Sequence, residues 1–132
     1  MAKKVDLDVA EMLDITCRVG DTFTLTIVLK DGDGVGFPLV TDGYTFLMQV
    51  RNPDQSILMG TKDAGDEQGI ANFSFSGLTD TGEFNVSVTA AEMRIVPPGR
   101  YRYDLQYTVE GTTVTVLEGC FKVNPDISKA VN

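Results

Sequence analysis

The sequence lacks several residue types on which catalysis and metal binding most often depend. It contains no histidine and no tryptophan, and it has only two cysteines, Cys17 and Cys120, near opposite ends of the chain. Without histidine, the chain is missing the commonest general base and the commonest metal ligand of proteins. Two cysteines alone do not supply the ligand set of an ordinary structural zinc site. The composition therefore predicts no metal and no cofactor.

Other routes to catalysis are also poorly represented. No serine precedes a lysine in a Ser-x-x-Lys arrangement, so no serine nucleophile has an evident base. The carboxylate pairs Asp6/Asp8 and Asp31/Asp33 lie in a terminal segment and a turn, where solvated charge is far commoner than a glycosidase pair. We therefore expect that the protein is not an enzyme.

Long apolar runs and a basic surface are absent as well. No stretch approaches the ~20 apolar residues of a membrane-spanning helix, and the charged N-terminus has no apolar core typical of a secretory signal. We therefore expect no membrane partner and folding in a reducing cytosol. The net charge is −8, and an acidic chain gains nothing from phosphate neutralisation, which argues against a nucleic-acid partner.

The clearest pattern that is present lies in the last third of the chain. From Tyr101 to Val109, aromatic and aliphatic residues alternate with polar ones, which is typical of a half-buried antiparallel strand. Glu110-Gly111 can turn the chain into a second strand, Thr112 to Val123. Within that strand the apolar face changes near Val116-Leu117, which predicts either burial of both faces or a β-bulge.

Similar runs recur along the rest of the chain. They cover residues 15–19, 22–30, 44–51, 56–61, 70–76 and 83–89. Residues 90–95 form the one helix-like piece, about one turn long, with Thr89 as its N-cap. The acidic loop 31–42 does not fit a calcium loop, because Val35 stands where an oxygen ligand belongs.

The spacing predicts an all-β fold: an antiparallel, immunoglobulin-like β-sandwich of about seven strands with one short helical turn near 90–95. Either Tyr101 or Tyr103, just after a Pro-Gly turn, would form the tyrosine corner of such a domain. Cys17 and Cys120 lie on edges that can be neighbours, but a reducing cytosol favours free thiols over a disulfide.

The N-terminal residues 1–14 are interpreted as an arm ahead of a sandwich at 15–124, with a C-terminal tail at 125–132. The arm carries more apolar side chains than a solvated tail needs, and they are the candidate interaction residues Val5, Leu7, Val9, Met12 and Leu13. Two alternatives stay open: the arm docks on a neighbouring subunit, or it pairs with its own sheet.

One assembled pattern resembles a known group of domains. It consists of the segments GDTFTLTIVLKD (20–31), TDGYTFLMQVRNPD (41–54), GIANFSF (69–75), PPGRYRYDL (97–105) and GCFKV (119–123). These segments are similar to the small immunoglobulin-like domains of tailed-bacteriophage virions. Such domains include the N-terminal domain of siphophage upper baseplate proteins, the base of head fibres and capsid cement proteins.

The resemblance implies a non-enzymatic structural protein of a phage virion, assembled in the host cytoplasm and without a cofactor. We expect a capsid decoration or cement protein that contacts the major capsid protein and forms a small homo-oligomer. The alternative is a tail or baseplate adaptor that contacts other tail proteins. The chain stops at Asn132 with no fibre shaft after the domain, which favours a stand-alone decoration or connector protein. A more distant alternative is a carbohydrate-binding β-sandwich, with Tyr44 or Tyr107 as the aromatic platform.

Overall fold

The structure, a computed structural model, describes residues 2–6, 11–31, 33–62 and 65–125. It is an all-β fold with very little helix, as the sequence predicts. The strands are β1 (Ala2–Asp6), β2 (Glu11–Met12), β3 (Ile15–Arg18), β4 (Phe23–Lys30), β5 (Thr45–Arg51), β6 (Ile57–Thr61), β7 (Ala71–Ser76), β8 (Glu83–Val88), β9 (Gly99–Val109) and β10 (Thr112–Asn124). The helix α1 covers Ala90–Met93, and a 3-10 turn covers Gly65–Glu67.

The count of about seven strands is too low, since the described residues form ten. β3 to β10 coincide with the strand-like runs of the sequence to within one or two residues. β1 and β2 lie in the N-terminal arm, whose short and mixed apolar pattern also suited a helical turn. Both pair with the chain's own sheet, β1 with β4 and β2 with β10.

The strands form one continuous mixed sheet in the order β1-β4-β8-β7-β6-β5-β9-β10-β2, and β3 also pairs with β10. The prediction of a purely antiparallel arrangement is wrong. β6 and β7 are parallel, and β1, β2 and β3 each run parallel to their partners. Period-two alternation identifies a strand and its buried face, but it carries no information about the direction of the neighbouring strand. This strand order does not establish an immunoglobulin-like topology.

The sheet curls around a single core and is nearly closed. Phe121 on β10 packs against Phe23 on β4 and Phe73 on β7, with ring centroids 5.6 and 6.0 Å apart. Phe46 on β5 stacks on Phe84 on β8 at 4.1 Å. β1, at one end of the sheet, comes within 8 Å of β10 near the other end, measured between Cα atoms. Aromatic rings from both halves therefore fill one shared interior.

A β-bulge in β10 resolves the change of face seen in the sequence. Thr115 pairs with Gln106 on β9, but Leu117 is the next residue to find a partner, so the register shifts at Val116. Val116 and Leu117 are both fully buried. The bulge prediction is confirmed, because one extra residue lets the apolar side chains on both sides of it face the core.

The connection from β8 to β9 also follows the sequence prediction. The hydroxyl of Thr89 accepts the N–H of Glu92 at 3.2 Å, and the Glu92 carboxylate in turn accepts from that hydroxyl, so Thr89 caps α1. After α1, the Tyr101 hydroxyl donates to the carbonyl of Pro97 at 2.7 Å. A hydroxyl-to-backbone bond of this kind is the one expected of a tyrosine corner, and the first of the two tyrosines considered makes it.

Candidate interaction surfaces

The N-terminal segment runs parallel to β10 and lies very close to it at Gly119, and we call this contact the arm crossing. The N–H of Leu13 donates to the carbonyl of Glu118 at 3.0 Å, and the Asp14 carboxylate accepts the N–H of Cys120 at 3.0 Å. Gly119 lies directly beneath, where a Cβ atom would come within 2.6 Å of the Leu13 carbonyl oxygen. Only glycine allows the segment to lie this close to β10.

Tyr103 completes the arm crossing from the core side. Its hydroxyl donates to the carbonyl of Leu13, and its ring is buried against Phe121. Burial raises the pKa of Tyr103 far above its ordinary value, and the carboxylates of Asp14 and Glu118 raise it further. The phenol therefore keeps its proton at any ordinary pH and remains a hydrogen-bond donor to the arm.

The predicted interaction residues fall into different environments. Met12, in β2, is 62% exposed, whereas the adjacent Leu13 packs against the core. Val5 lies in β1 opposite Leu29. Leu7 and Val9 lie outside the described residues. The structure therefore brings Met12 and Leu13 to the arm crossing, and the interaction role of the five residues stays a prediction.

Sequence reasoning did not single out Gly119, Asp14 or Tyr103 as parts of one contact. One signal was available, since a glycine inside a strand often marks the close approach of another backbone. The partners of the contact are far apart in sequence: Asp14 and Cys120 are separated by 106 positions, and Leu13 and Tyr103 by 90. No local pattern reports such a pairing.

A groove of about 480 Å³ runs between β3 and β4. One wall carries Ile15 and Cys17, and the other carries Phe23 and Leu25. Burial, together with the carboxylate of Asp21, raises the pKa of the Cys17 thiol to about 11. Since a thiol with this pKa stays protonated at neutral pH, the groove offers apolar surface and no thiolate nucleophile. Cys17 and Cys120 are both free thiols.

The opposite end of the molecule presents a braced loop. The carboxylate of Asp80 accepts the backbone N–H groups of Val40 and Thr41 at 3.0 and 2.9 Å, and it also accepts the Thr41 hydroxyl. These hydrogen bonds lower the pKa of Asp80. Val40, held in this way, and Val35 are both largely exposed. The loop is thus a second apolar surface on a fixed backbone.

The acidic residue that begins this loop forms hydrogen bonds within the loop itself. Asp31 accepts the N–H groups of Asp33 and Val35 through one carboxylate oxygen, at 2.9 and 3.0 Å. This is the geometry of an Asx turn, which explains the Asp-Gly composition without a cation. Among the residues that the structure describes, no group of three or more acidic, cysteine or histidine side chains is arranged to hold a metal.

The tyrosines proposed as a sugar platform are packed against each other. The rings of Tyr44 and Tyr107 lie 5.1 Å apart, and Phe37 contacts both. Tyr107 is buried and Tyr44 is half-buried. Both rings are thus engaged in aromatic packing within the chain.

A polar patch covers the outer face of β5, β9 and β10. Arg51 donates to the side chain of Gln49 and to the carbonyl of Gln55, the latter at 2.8 Å. Burial raises the pKa of the neighbouring Asp104, although the Arg51 charge acts in the opposite direction. The patch is therefore stabilised by bonds within the chain itself.

Within the described ranges, no helix is long and apolar enough to cross a membrane.

Comparisons with known proteins give a fold and no family. No protein-family model matches the chain, and no curated protein matches it. Among solved structures, the N-terminal domain of phage TP901-1 ORF48 is similar, with a TM-score of 0.51 and 10% sequence identity over 93% of this chain and 96% of that one. This likeness supports a shared all-β fold.

A second solved structure is similar over part of its length. It is a family 123 glycoside hydrolase from Clostridium perfringens, with a TM-score of 0.37 and 11% identity over 87% of this chain and 23% of that one. A TM-score of that size does not establish a common fold.

Proposed function

We propose that this protein is a non-enzymatic structural component of a tailed-phage virion. The observation that carries the proposal is the whole-length likeness to a domain of a phage protein, which covers 93% of one chain and 96% of the other. The resemblance of the sequence segments to virion domains supports the same conclusion independently. The chemistry is consistent with it, since the groove, the braced loop and the polar patch offer surfaces for binding and no activated nucleophile.

As part of the same proposal, we infer that the domain is a divergent immunoglobulin-like domain. The hydrogen bond from Tyr101 to Pro97 supports this inference, because it is the tyrosine corner of that fold. Parallel strands added at the two ends of the sheet, β1 beside β4, and β2 and β3 beside β10, would then account for part of the mixed order. The parallel pair β6–β7 in the middle of the sheet is a further departure from that topology.

Within the virion, a tail or baseplate location now has more support than a capsid location. The similar structure is itself the N-terminal domain of a phage protein, and the sequence segments resemble the N-terminal domain of upper baseplate proteins. Capsid cement is the second candidate. In either location we expect a cyclic homo-oligomer, because virion proteins occupy symmetric lattices.

Copy number separates the two locations. Purified particles would be analysed by quantitative mass spectrometry, with the major capsid protein as internal standard. On the order of a few dozen copies per particle would support the tail, and on the order of hundreds would support the capsid. If the protein never co-purifies with particles, the proposal is wrong. Specific binding of the isolated protein on a glycan array would instead support the carbohydrate-binding alternative.

The role of the arm can be tested by two deletions that differ at the arm crossing. Deletion of residues 2–13 removes nearly the whole arm, but it also removes the Leu13 partner of Tyr103. Deletion of residues 2–10 leaves the crossing intact and is therefore the cleaner variant. We expect it to stay folded by circular dichroism and to lose oligomerisation or particle attachment in light scattering and co-sedimentation.

Each other outcome of the shorter deletion has a clear meaning. An unfolded product would show that the domain requires β1 in order to fold. A folded product with unchanged assembly would show that Val5, Leu7 and Val9 are not the interface.

A further inference from the structure

The groove between β3 and β4 is bordered by two strand edges that pair with no described strand. β3 pairs only with β10, through the register from Ile15 to Arg18. β4 pairs with β8 along its length, but β1 begins opposite Thr26, so the edge at Thr24 lies beyond the end of β1. A free strand edge is a template for another strand.

The backbone groups on these two edges point into the groove. On β4, the N–H of Leu29 donates to the carbonyl of Gly82 on the β8 side. Since hydrogen bonding alternates along an antiparallel pair, the odd-numbered residues of β4 face β8, and the N–H and C=O of Thr24 face the groove. Just before and just after β3, Leu13 and Val19 donate to carbonyls of β10, so the odd-numbered residues of this segment face β10. Thr16 therefore turns its N–H and C=O to the groove and Arg18 turns its N–H, while the carbonyl of Arg18 accepts the N–H of Asp21 at 3.2 Å.

The side chains around the groove alternate in the same register. Ile15, Cys17, Phe23 and Leu25 form an apolar floor that continues into the core. Thr16, Thr22 and Thr24 are exposed and form a polar rim. An extended chain in the groove would thus meet apolar surface on its inner face and polar surface on its outer face, with hydrogen-bond partners on both sides.

We propose that this groove receives a short extended strand from a different protein of the particle, apolar at every second residue. The binding mode is strand addition, in which backbone bonds supply affinity and alternate side chains supply specificity. A second copy of this chain is a poorer donor, because each of the ten described strands is already paired within its own sheet. The inference rests on the proposed virion function for the identity of the donor, but not for the binding mode.

The geometry of β1 suggests a direct probe. β1 runs parallel to β4 with Ala2 opposite Thr26, so residues placed before Ala2 would lie opposite the stretch from Thr22 to Leu25. The sequence Thr-Val-Thr-Val in place of Met1 sets its two valines opposite Phe23 and Leu25, facing the apolar floor. The matched control, Val-Thr-Val-Thr, has the same composition and length but turns its valines outward.

The first readout is amide hydrogen exchange measured by NMR. We expect the in-phase extension to slow exchange at Thr16, Arg18 and Thr24 by about tenfold or more, because each gains a backbone hydrogen bond. The out-of-phase control should leave these amides as they are in the wild-type protein. Exchange unchanged from the wild-type protein in both variants would show that the groove does not accept a strand, and equal slowing in both would show that it does not select for apolar alternate residues. Either result would make the inference wrong.

The second readout is attachment to particles that lack the protein. The in-phase extension should fill the groove and abolish attachment, while the wild-type protein and the out-of-phase control attach. Attachment of all three would show that the groove is not the partner site. If the wild-type protein does not attach, the proposed function fails, and the amide exchange still decides whether the groove takes a strand.

Light scattering tests whether the strand in the groove comes instead from a second copy of this chain. Should the wild-type protein be an oligomer that only the in-phase extension dissociates, the donor is a second copy. That result would overturn the assignment to a different protein.

Discussion

The β9–β10 hairpin and the N-terminal segment are attached to the molecule in different ways. The hairpin strands pair with each other from Gly99 to Val123 across a single Glu110-Gly111 turn, and β9 also pairs with β5. The N-terminal strands β1, β2 and β3 each have one partner strand and lie at the ends of the sheet. The placement of the N-terminal segment on the sheet therefore depends on a few contacts, of which the arm crossing is the best defined.

The difference shows how each region is specified. In the hairpin, local alternation and a tight turn agree on one register, so the structure can form from neighbouring residues. The N-terminal segment has a weaker pattern and requires Tyr103 and Gly119, which belong to the hairpin, to be in place first. The hairpin is therefore the support on which the segment is held.

Phe121→Ala should break this support and have the largest effect. The ring of Phe121 joins both halves of the sheet through Phe23 and Phe73. We expect a loss of about 3–5 kcal/mol in the free energy of unfolding, measured by chemical denaturation. Lys122→Ala, at the next position and on the outer face, is the control. A loss below about 1 kcal/mol for Phe121→Ala would contradict the role of this ring as the link between halves.

Gly119→Val tests the arm crossing at a buried position of β10 opposite Tyr103. The new side chain meets the Leu13 carbonyl, so the N-terminal segment must move away or the hairpin must distort. We expect a loss of about 1–3 kcal/mol, with NMR shift changes at Leu13 and Asp14. Cys120→Val places the same side chain one residue later, on the outer face, and should cost much less. Equal losses would mean that the close approach at Gly119 is unimportant.

Tyr103→Phe separates the hydrogen bond of the crossing from its packing. It removes the donor to the Leu13 carbonyl and keeps the ring. We expect a loss of about 1–2 kcal/mol. Tyr101→Phe removes the other tyrosine hydroxyl, whose bond to Pro97 is more exposed, and should cost about half as much. A larger loss of stability for Tyr101→Phe would show that the hydrogen bond of Tyr101 to Pro97 stabilises the fold more than the bond of Tyr103 to Leu13.

Asp80→Asn should have the smallest effect on global stability, because it acts only on the loop at the opposite end. The folded-state pKa of Asp80 lies below its ordinary value, so its bonds are fully present above that ordinary value and are lost as pH falls through the lowered one. We expect lower protection of the Val40 and Thr41 amides in the variant, and in the wild-type protein at acidic pH, where protection is the exchange rate relative to the intrinsic rate at the same pH. Asp42→Asn is the control. Unchanged protection of the Val40 and Thr41 amides would show that the Asp80 carboxylate does not hold this loop in place.

Much of the fold follows from local residue patterns. The alternation from Tyr101 to Val109, the bulge at Val116 and the cap at Thr89 all have their predicted form. Each depends on residues within a few positions of one another, and for that reason it is visible in the sequence. The predicted strand directions and the predicted number of strands are wrong, because both depend on which distant segments become neighbours.

The same division holds for the candidate surfaces. The apolar residues of the arm could be identified from composition, and two of them, Met12 and Leu13, do lie at the arm crossing. The groove could not be identified, because it exists only where the edge of β3 faces an uncovered part of β4. The amino-acid sequence does not indicate which strand edges will have unpaired backbone groups, because every residue carries the same backbone.

By itself, the sequence determined an acidic all-β domain without histidine, its turns, and the buried face of each main strand. Only the tertiary structure decided the mixed order of the sheet, the closing of its two ends toward each other, and the placement of the N-terminal segment on Gly119. The physical reason is the range of the interactions. Side-chain alternation and capping act between neighbours in the chain, whereas strand pairing, the arm crossing and the groove depend on backbone groups that folding brings together from opposite ends of the chain.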